Sequence, residues 1–266
     1  MSKPPPRAIE RRFIFDEVAD LYERARPGYP DQLIDDVVTL SGIEPTGRIL
    51  EIGAGTGKAT AAFASRGFEM VCLEPGAAMA SFARAKVAAF PRVRVLSSTF
   101  EDWPLEAGAF DLIISAQAFH WIAPDVRFVK SAAALRNGGS LAIFGNSVLC
   151  KRSPLRDALD EAYQRHAPEL GRTPLASWHA DAESVMKSFN DSGLFQPVRW
   201  LKYPWSIEYT TETYLGLLQT HSDHQILPSE ELEPLLTAVG HAIDAHGGTI
   251  DIPYETHLYV ARRRQV

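Results

Sequence analysis

The sequence predicts an α/β protein built on a doubly wound parallel sheet. Between Gly47 and Asn146, five short apolar runs alternate with helical segments. Phe110 to Ala116 is nearly all apolar, as a strand buried on both faces requires. A glycine loop, Gly53 to Gly57, joins the first run to the first of these helices. Together these features imply parallel strands with helical, right-handed crossovers.

The elements follow in order. Met1-Ser-Lys-Pro-Pro-Pro-Arg7 reads as a flexible leader without a hydrophobic signal core. Phe15, Val18, Leu21 and Tyr22 repeat at helical spacing, and Arg26-Pro-Gly-Tyr-Pro30 breaks the chain. A second helix starts at Asp31, with Gly42 as its cap. Strands are expected at 48–52, 68–74, 93–96, 110–116 and 140–144. Helices are expected at 58–65, 77–89 and 124–136, the last followed by Asn137-Gly-Gly139 as punctuation. Beyond Asn146 the rhythm loosens. Helices are expected at 154–166, 182–191, 211–220 and 229–245, and strands at 198–207 and 250–261. The later helices suggest a small cap over one end of the sheet. This divides the chain into lid helices (1–42), a ligand-binding core (43–146), and a cap with the last two strands (147–266).

Composition narrows the function. Of 266 residues, 45% are hydrophobic and 23% charged, which suits a soluble globular chain and excludes disordered or collagenous classes. The net charge of -6 provides no basic footprint for nucleic acid. The longest uncharged apolar stretch, between Asp111 and Asp125, is shorter than the ~20 residues that span a bilayer. No nucleic-acid or membrane partner is therefore expected, and the cytoplasm is the expected compartment. Two cysteines, Cys72 and Cys150, are too few for a disulfide framework or zinc site and read as small buried hydrophobes.

Glu51-Ile-Gly-Ala-Gly-Thr-Gly57 carries the chemistry. A phosphate loop would need four residues between its first glycine and the Gly-Lys pair, then Ser or Thr; here there are three, and Ala59 follows Lys58. A dinucleotide fingerprint would need a small residue where Lys58 stands. Glu51 would also repel a pyrophosphate, whereas it suits a cation. S-adenosylmethionine, with its sulfonium and ammonium, meets that requirement. Glu74 ends the second strand 21 residues after Gly53, where a carboxylate can accept from ribose hydroxyls.

Leu50 to Gly57 resembles motif I of the class I S-adenosylmethionine-dependent methyltransferases. Leu73-Glu74-Pro75 with Met79 resembles their acidic second-strand motif. Thr99-Phe-Glu-Asp-Trp103 and Phe110 to Ser115 resemble the adenine loop and fourth strand. Gln117-Ala-Phe-His-Trp121, Tyr22, Arg26-Pro-Gly-Tyr-Pro30 and the C-terminal 246–263 segment are similar to a small-molecule branch near the trans-aconitate methyltransferases. The resemblance implies a Rossmann-like, seven-stranded, mostly parallel sheet with its last strand inserted antiparallel. It implies that Gly53, Gly55 and Gly57 let the backbone approach the cofactor, that Glu51 lies near its amino group and that Glu74 holds the ribose. It further implies Thr99, Phe100 and Glu101 around adenine, Ser115 and Gln117 beside the methionine tail, and Tyr22 and Arg26 in the lid, with Arg26 facing the carboxylate.

His120 follows the fourth strand, where an imidazole can take a proton from an acceptor hydroxyl or amine; the alternative is packing beside Trp121. His221-Ser-Asp-His224 reads as a solvated cap turn rather than a metal site, and no metal is expected. His241 and His246 read as surface positions, and Trp103, Trp121, Trp200 and Trp205 mostly as core. The expected reaction is in-line methyl transfer to a small carboxylate, hydroxyl or amine. Two rivals remain: an NAD-dependent oxidoreductase, and a non-catalytic S-adenosylmethionine-binding regulatory protein.

Overall fold

Alternation along the strands sorts the core into two layers. Ile49, Met70, Cys72, Leu112, Ile114, Ala142, Phe144, Leu258 and Val260 face one side; Leu50, Ile52, Val71, Leu73, Ile113, Leu141, Ile143, Tyr259 and Ala261 face the other. This period of two, with both sets apolar, is what a sheet covered by helices on both faces demands. The structure is a computed structural model that describes residues 18–170 and 178–265. Phe15, part of the first expected helix, and the leader lie outside the described residues.

The strands are β1 (Arg48–Ile52), β2 (Glu69–Leu73), β3 (Val93–Leu96), β4 (Phe110–Ala116), β5 (Leu135–Val148), β6 (Arg199–Thr210) and β7 (Thr249–Arg262). They form one seven-stranded sheet of order β3-β2-β1-β4-β5-β7-β6. β1 to β5 pair in parallel, and β7 is inserted antiparallel between β5 and β6. The Rossmann-like, mostly parallel arrangement expected from the sequence is the one observed. The order reverses between β1 and β4, and that switch point is where an open α/β sheet opens a crevice beyond its strand ends.

Helices α1 (Ala19–Ala25), α2 (Asp31–Ser41), α3 (Lys58–Ala64) and α4 (Ala77–Lys86) precede β3 in the chain. α2 and α3 cover one face of the sheet through Leu33, Ile34, Val37 and Phe63. α5 (Pro124–Ala134) and α7 (Ala182–Ser192) cover the other through Phe128, Val185 and Phe189. α6 (Pro154–His166), α8 (Thr211–Gln219) and α9 (Ser229–Ala245) enclose a third core with Tyr209, Ile250, Ile252 and Tyr254. The cap is therefore narrower than expected: α7 lies within the 147–266 segment but packs on the sheet, because Val185 and Phe189 find partners in Phe128 and Phe195.

Strand boundaries differ from expectation in β5, β6 and β7. β5 runs through Asn137-Gly-Gly139 instead of starting after it; a register shift against β4 between Phe110 and Leu112 accommodates those residues. β6 and β7 are also longer than their alternation suggested, because they pair over twelve positions. Among the described residues, no helix is long and apolar enough to cross a membrane.

Candidate active site

The glycine loop is shaped by backbone bonds to the neighbouring strand. Gly53 and Ala54 both donate N–H to the Leu73 carbonyl, at 2.9 and 3.0 Å. Gly53 has φ +74°, and a Cβ placed on it would lie 2.3 Å from the Cβ of Ala118, just past β4. The β1 and β4 exits thus approach more closely than any side chain at position 53 permits. Gly57 meets α4 similarly, since its added Cβ would lie 3.1 Å from the Ala83 Cα.

Glu74 closes the loop from β2. Its Oε2 accepts the Gly55 N–H at 2.8 Å and its Oε1 accepts the Gly76 N–H at 2.9 Å. Two backbone donors fix the carboxylate at the lip of a cavity of about 110 Å³. That cavity is bounded by Glu74, Met79, Thr99, Phe100, Glu101 and Trp121. A second cavity of about 650 Å³ opens between the glycine loop and the cap. Tyr22, Gly53, Gly55, Ala116 and Gln117 line both, so the two spaces meet over the switch point. Gln117 is the one non-glycine residue with positive φ among the described residues, at 60°. Such backbone strain concentrates where the surrounding structure holds a side chain for use.

The residues expected at the site divide by position. Gly53, Gly55, Glu74, Thr99, Phe100, Glu101, Gln117 and Tyr22 line the small cavity, and Arg26 lines the large one. Thr99 Oγ1 is tied to Asp102 at 2.7 Å, and Glu101 accepts the Ala123 N–H at 3.2 Å. Arg26 donates to the Thr220 hydroxyl at 2.8 Å and to its carbonyl at 2.9 Å, and lies 5.4 Å from the centre of the Tyr22 ring. Glu51 and Ser115 line neither cavity. Ser115 is fully buried and ties β4 to β1 through the Ile52 carbonyl at 2.9 Å. Glu51 is fully buried behind the loop and accepts from Thr60 Oγ1 at 2.6 Å. Burial pushes its carboxyl up to about 7, although Thr60 and Cys72 pull it down. Gly57 packs on α4 rather than lining the small cavity.

His120 also lines neither cavity. It packs against Trp121, Trp178 and His179, with ring centroids 4.8 to 6.2 Å away. Burial, helped by Arg127, pulls its imidazole down to about 4. Lys58 does not crowd the sheet either; its ammonium reaches outward to the Glu23 carbonyl at 2.7 Å and ties α3 to α1.

Sequence reasoning missed most of the large cavity. His224 is 4% exposed and, with the half-buried His221 and Asp223, forms part of the wall, so the segment read as a solvated turn is partly buried against the cavity. Asn146, at the end of β5, joins three segments: its Nδ2 donates to the Gly28 carbonyl at 3.0 Å, its Oδ1 accepts from Thr256, and its carbonyl accepts from Gln117. Tyr163, Tyr214 and Tyr254 also line it, with Leu217 and Ile252. Asn146 carried a usable signal, since it follows an apolar strand at the carboxyl edge; the cap tyrosines carried none. Cys72 is buried as expected, but Cys150 is exposed at the cavity mouth. Trp200 is 38% exposed rather than core.

Comparison with known proteins settles the family. Residues 49–139, β1 to the start of β5, match the model of a methyltransferase domain. A methyltransferase-like protein of Schizosaccharomyces pombe is 31% identical over 231 residues, covering 85% of this chain and 83% of that one. The chain belongs to the class I S-adenosylmethionine-dependent methyltransferases. This methyltransferase is also 35% identical to an uncharacterised methyltransferase of Mycobacterium tuberculosis over 133 residues, half of this chain and 52% of that one. The chain thus spans about half the length of the mycobacterial relatives it matches. Among solved structures, phosphoethanolamine N-methyltransferase 2 of Haemonchus contortus shares the fold of this methyltransferase. Its TM-score is 0.57 at 18% identity, covering all of this chain and 62% of that one.

Proposed function

We propose that this methyltransferase carries the methyl donor, S-adenosylmethionine, in the small cavity and a small-molecule acceptor in the large one. The observation that carries the reading is the meeting of the two cavities at Gly53, Gly55 and Gln117. On this reading residues 1–42 supply the lid, 43–146 hold the donor, and 147–266 add the acceptor-binding cap and the last strands.

The residues present suit the donor. The Glu74 carboxylate, held by two N–H groups, faces the space a ribose would fill. Thr99, Phe100, Glu101 and Trp121 provide a slot for a flat base. The backbone of Gly53 and Gly55 approaches the thioether end, and Arg26 would meet the carboxylate. Glu51 acts from behind, through Thr60 and the loop, rather than by contact. When bound, the donor supplies an electrophilic methyl on a sulfonium. The protein's part is positioning: for well-oriented reactants this lowers a barrier by up to ~7–11 kcal/mol. Tyr22, Arg26 and the cap exclude water around the reacting atoms. A small acceptor in the cytoplasm belongs to the same proposal, supported by a cavity of about 650 Å³ and a net charge of -6 that offers polyanions no purchase.

Isothermal titration of the full chain with S-adenosylmethionine, S-adenosylhomocysteine and NADH tests the reading. Micromolar binding of the first two, weakened at least about tenfold by Glu74→Ala, is the expected result. Binding of NADH in preference would return the chain to the oxidoreductase reading. Tight binding without transfer to any acceptor would return it to the regulatory one.

A further inference from the structure

The cap wall holds a hydrogen-bonded chain that the methyl-donor side does not use. Asp223 Oδ1 lies 2.9 Å from His224 Nδ1, and His224 Nε2 lies 2.7 Å from Tyr163 Oη. All three residues line the large cavity. His221 stands edge-on to His224, with ring centroids 5.5 Å apart, and Arg26 reaches the adjacent Thr220.

The protons in this chain are set by chemistry. Burial alone would raise the Asp223 carboxyl, but its hydrogen bond with His224 and the two neighbouring imidazoles hold it below the usual range. Ionised Asp223 can only accept, and it also takes the His224 N–H at 2.9 Å. Nδ1 of His224 therefore carries a proton, Nε2 accepts, and the Tyr163 hydroxyl donates inward. What Tyr163 Oη offers the cavity is a lone pair. A metal ion at His221, Asp223 and His224 would take one ring nitrogen of His224 and displace the hydrogen bond made there.

We propose that Tyr163, backed by His224 and Asp223, is the acceptor-recognition site, and that the acceptor is a phenol-class hydroxyl compound. The inference rests on the large cavity being the acceptor's. A lone pair selects a ligand that donates, which disfavours a carboxylate. The wall is apolar at Leu159 and Leu217, and Lys151, Arg152 and Arg156 outnumber Asp223 and Asp251 in it, which disfavours an ammonium. Between alcohols, a phenol, with a reference pKa of ~10, lies within reach of an imidazole; an aliphatic hydroxyl does not. As the acceptor oxygen bonds the methyl carbon, the carbon–sulfur bond breaks and its electron pair stays on sulfur. The acceptor's proton passes to Tyr163 Oη while the Tyr163 proton passes to His224 Nε2, and Asp223 faces the resulting imidazolium. Tyr163 is the catalytic residue here; His224 and Asp223 position it and hold the proton.

The test uses the full chain saturated with S-adenosylhomocysteine, titrated calorimetrically with phenol and with benzoate. The wild type is expected to bind phenol in preference to benzoate. Tyr163→Phe should weaken phenol about tenfold and leave S-adenosylhomocysteine affinity unchanged. Asp223→Asn offers a second route. Its amide can donate to His224, which turns the imidazole tautomer and the Tyr163 hydroxyl outward, so the phenol-to-benzoate ratio falls. A merely structural role would leave that ratio alone. Benzoate binding as tightly as phenol, no phenol binding, or a ratio unmoved by both variants overturns the inference. Failure of the wild type to bind S-adenosylhomocysteine overturns instead the reading on which it rests.

Discussion

At the glycine-loop end, the site is made mostly of backbone: Gly53 and Ala54 bond to Leu73, Gly55 and Gly76 bond to Glu74, and the strand exits set the shape. At the cap end it is made of side chains, with Tyr163, His224, Asp223 and Asn146 set among leucines and isoleucines. The match to the methyltransferase domain stops at residue 139, before any cap residue. Backbone recognition needs only glycines, one carboxylate and a fixed sheet edge, so its sequence mark is compact. Side-chain recognition is free to vary because the sheet does not depend on it. The two ends should therefore respond differently to substitution.

Gly53→Ala should produce the largest effect and touch only the loop end. The new Cβ meets Ala118 at 2.3 Å on a backbone with φ +74°. Left-handed strain and overpacking together cost about 2–5 kcal/mol. Urea unfolding reads this loss, and calorimetry should find S-adenosylhomocysteine binding gone while the cap core persists. Near-normal binding would mean the loop is not the donor's cradle.

Glu51 sharpens the contrast through pH. Its buried carboxyl holds a proton up to about pH 7, whereas the unfolded chain releases it near 4.5. Between those values the folded state carries the extra proton, so stability falls as pH rises, by up to ~3 kcal/mol, and levels off above 7. Glu51→Gln should remove that slope from thermal unfolding curves recorded between pH 4.5 and 8. An unchanged slope would place the titrating group elsewhere.

Glu74→Gln comes next. An amide presents one oxygen and one NH₂, so it cannot accept from both Gly55 and Gly76. Loss of a charged hydrogen bond is worth about 1.5–3 kcal/mol, or roughly 10- to 100-fold in S-adenosylhomocysteine affinity. Phenol affinity of the saturated complex should not move. If both affinities fell together, the two ends would be one site rather than two.

The same division decides what the sequence could reveal. The alternation of strands and helices around β1, the glycine loop and the position of Glu74 follow from local spacing and are legible. Ser115 and Glu51 lie in the buried layer rather than in either cavity, because a strand residue's spacing says which layer it joins and not what stands before it. His120 packs beside Trp121, the alternative its position allowed, and its other neighbours Trp178 and His179 come from a segment nearly sixty residues away that its own surroundings in the sequence do not announce. Tyr163 and His224 lie on different cap elements, and only folding brings their polar atoms to 2.7 Å.

Asn146 belongs to both ends and should show the smallest effect. It is 8% exposed, and its side chain holds the Gly28 carbonyl of the Arg26-to-Pro30 turn against Thr256 of β7. In Asn146→Ala the Gly28 carbonyl turns to water, and Thr256 keeps the Trp205 donor at 2.8 Å but loses its acceptor. The expected cost is about 1 kcal/mol, a fall of about 2–4 °C in Tm. The turn also carries Arg26 and follows Tyr22, so a looser turn should weaken S-adenosylhomocysteine and phenol alike, each about threefold. Asn146→Asp should be worse at the same volume, because a carboxylate oxygen would face the Gly28 carbonyl where the amide N–H stood. Were alanine and aspartate to behave identically, the Nδ2 bond would contribute nothing, and the two ends would be joined only through the glycine loop.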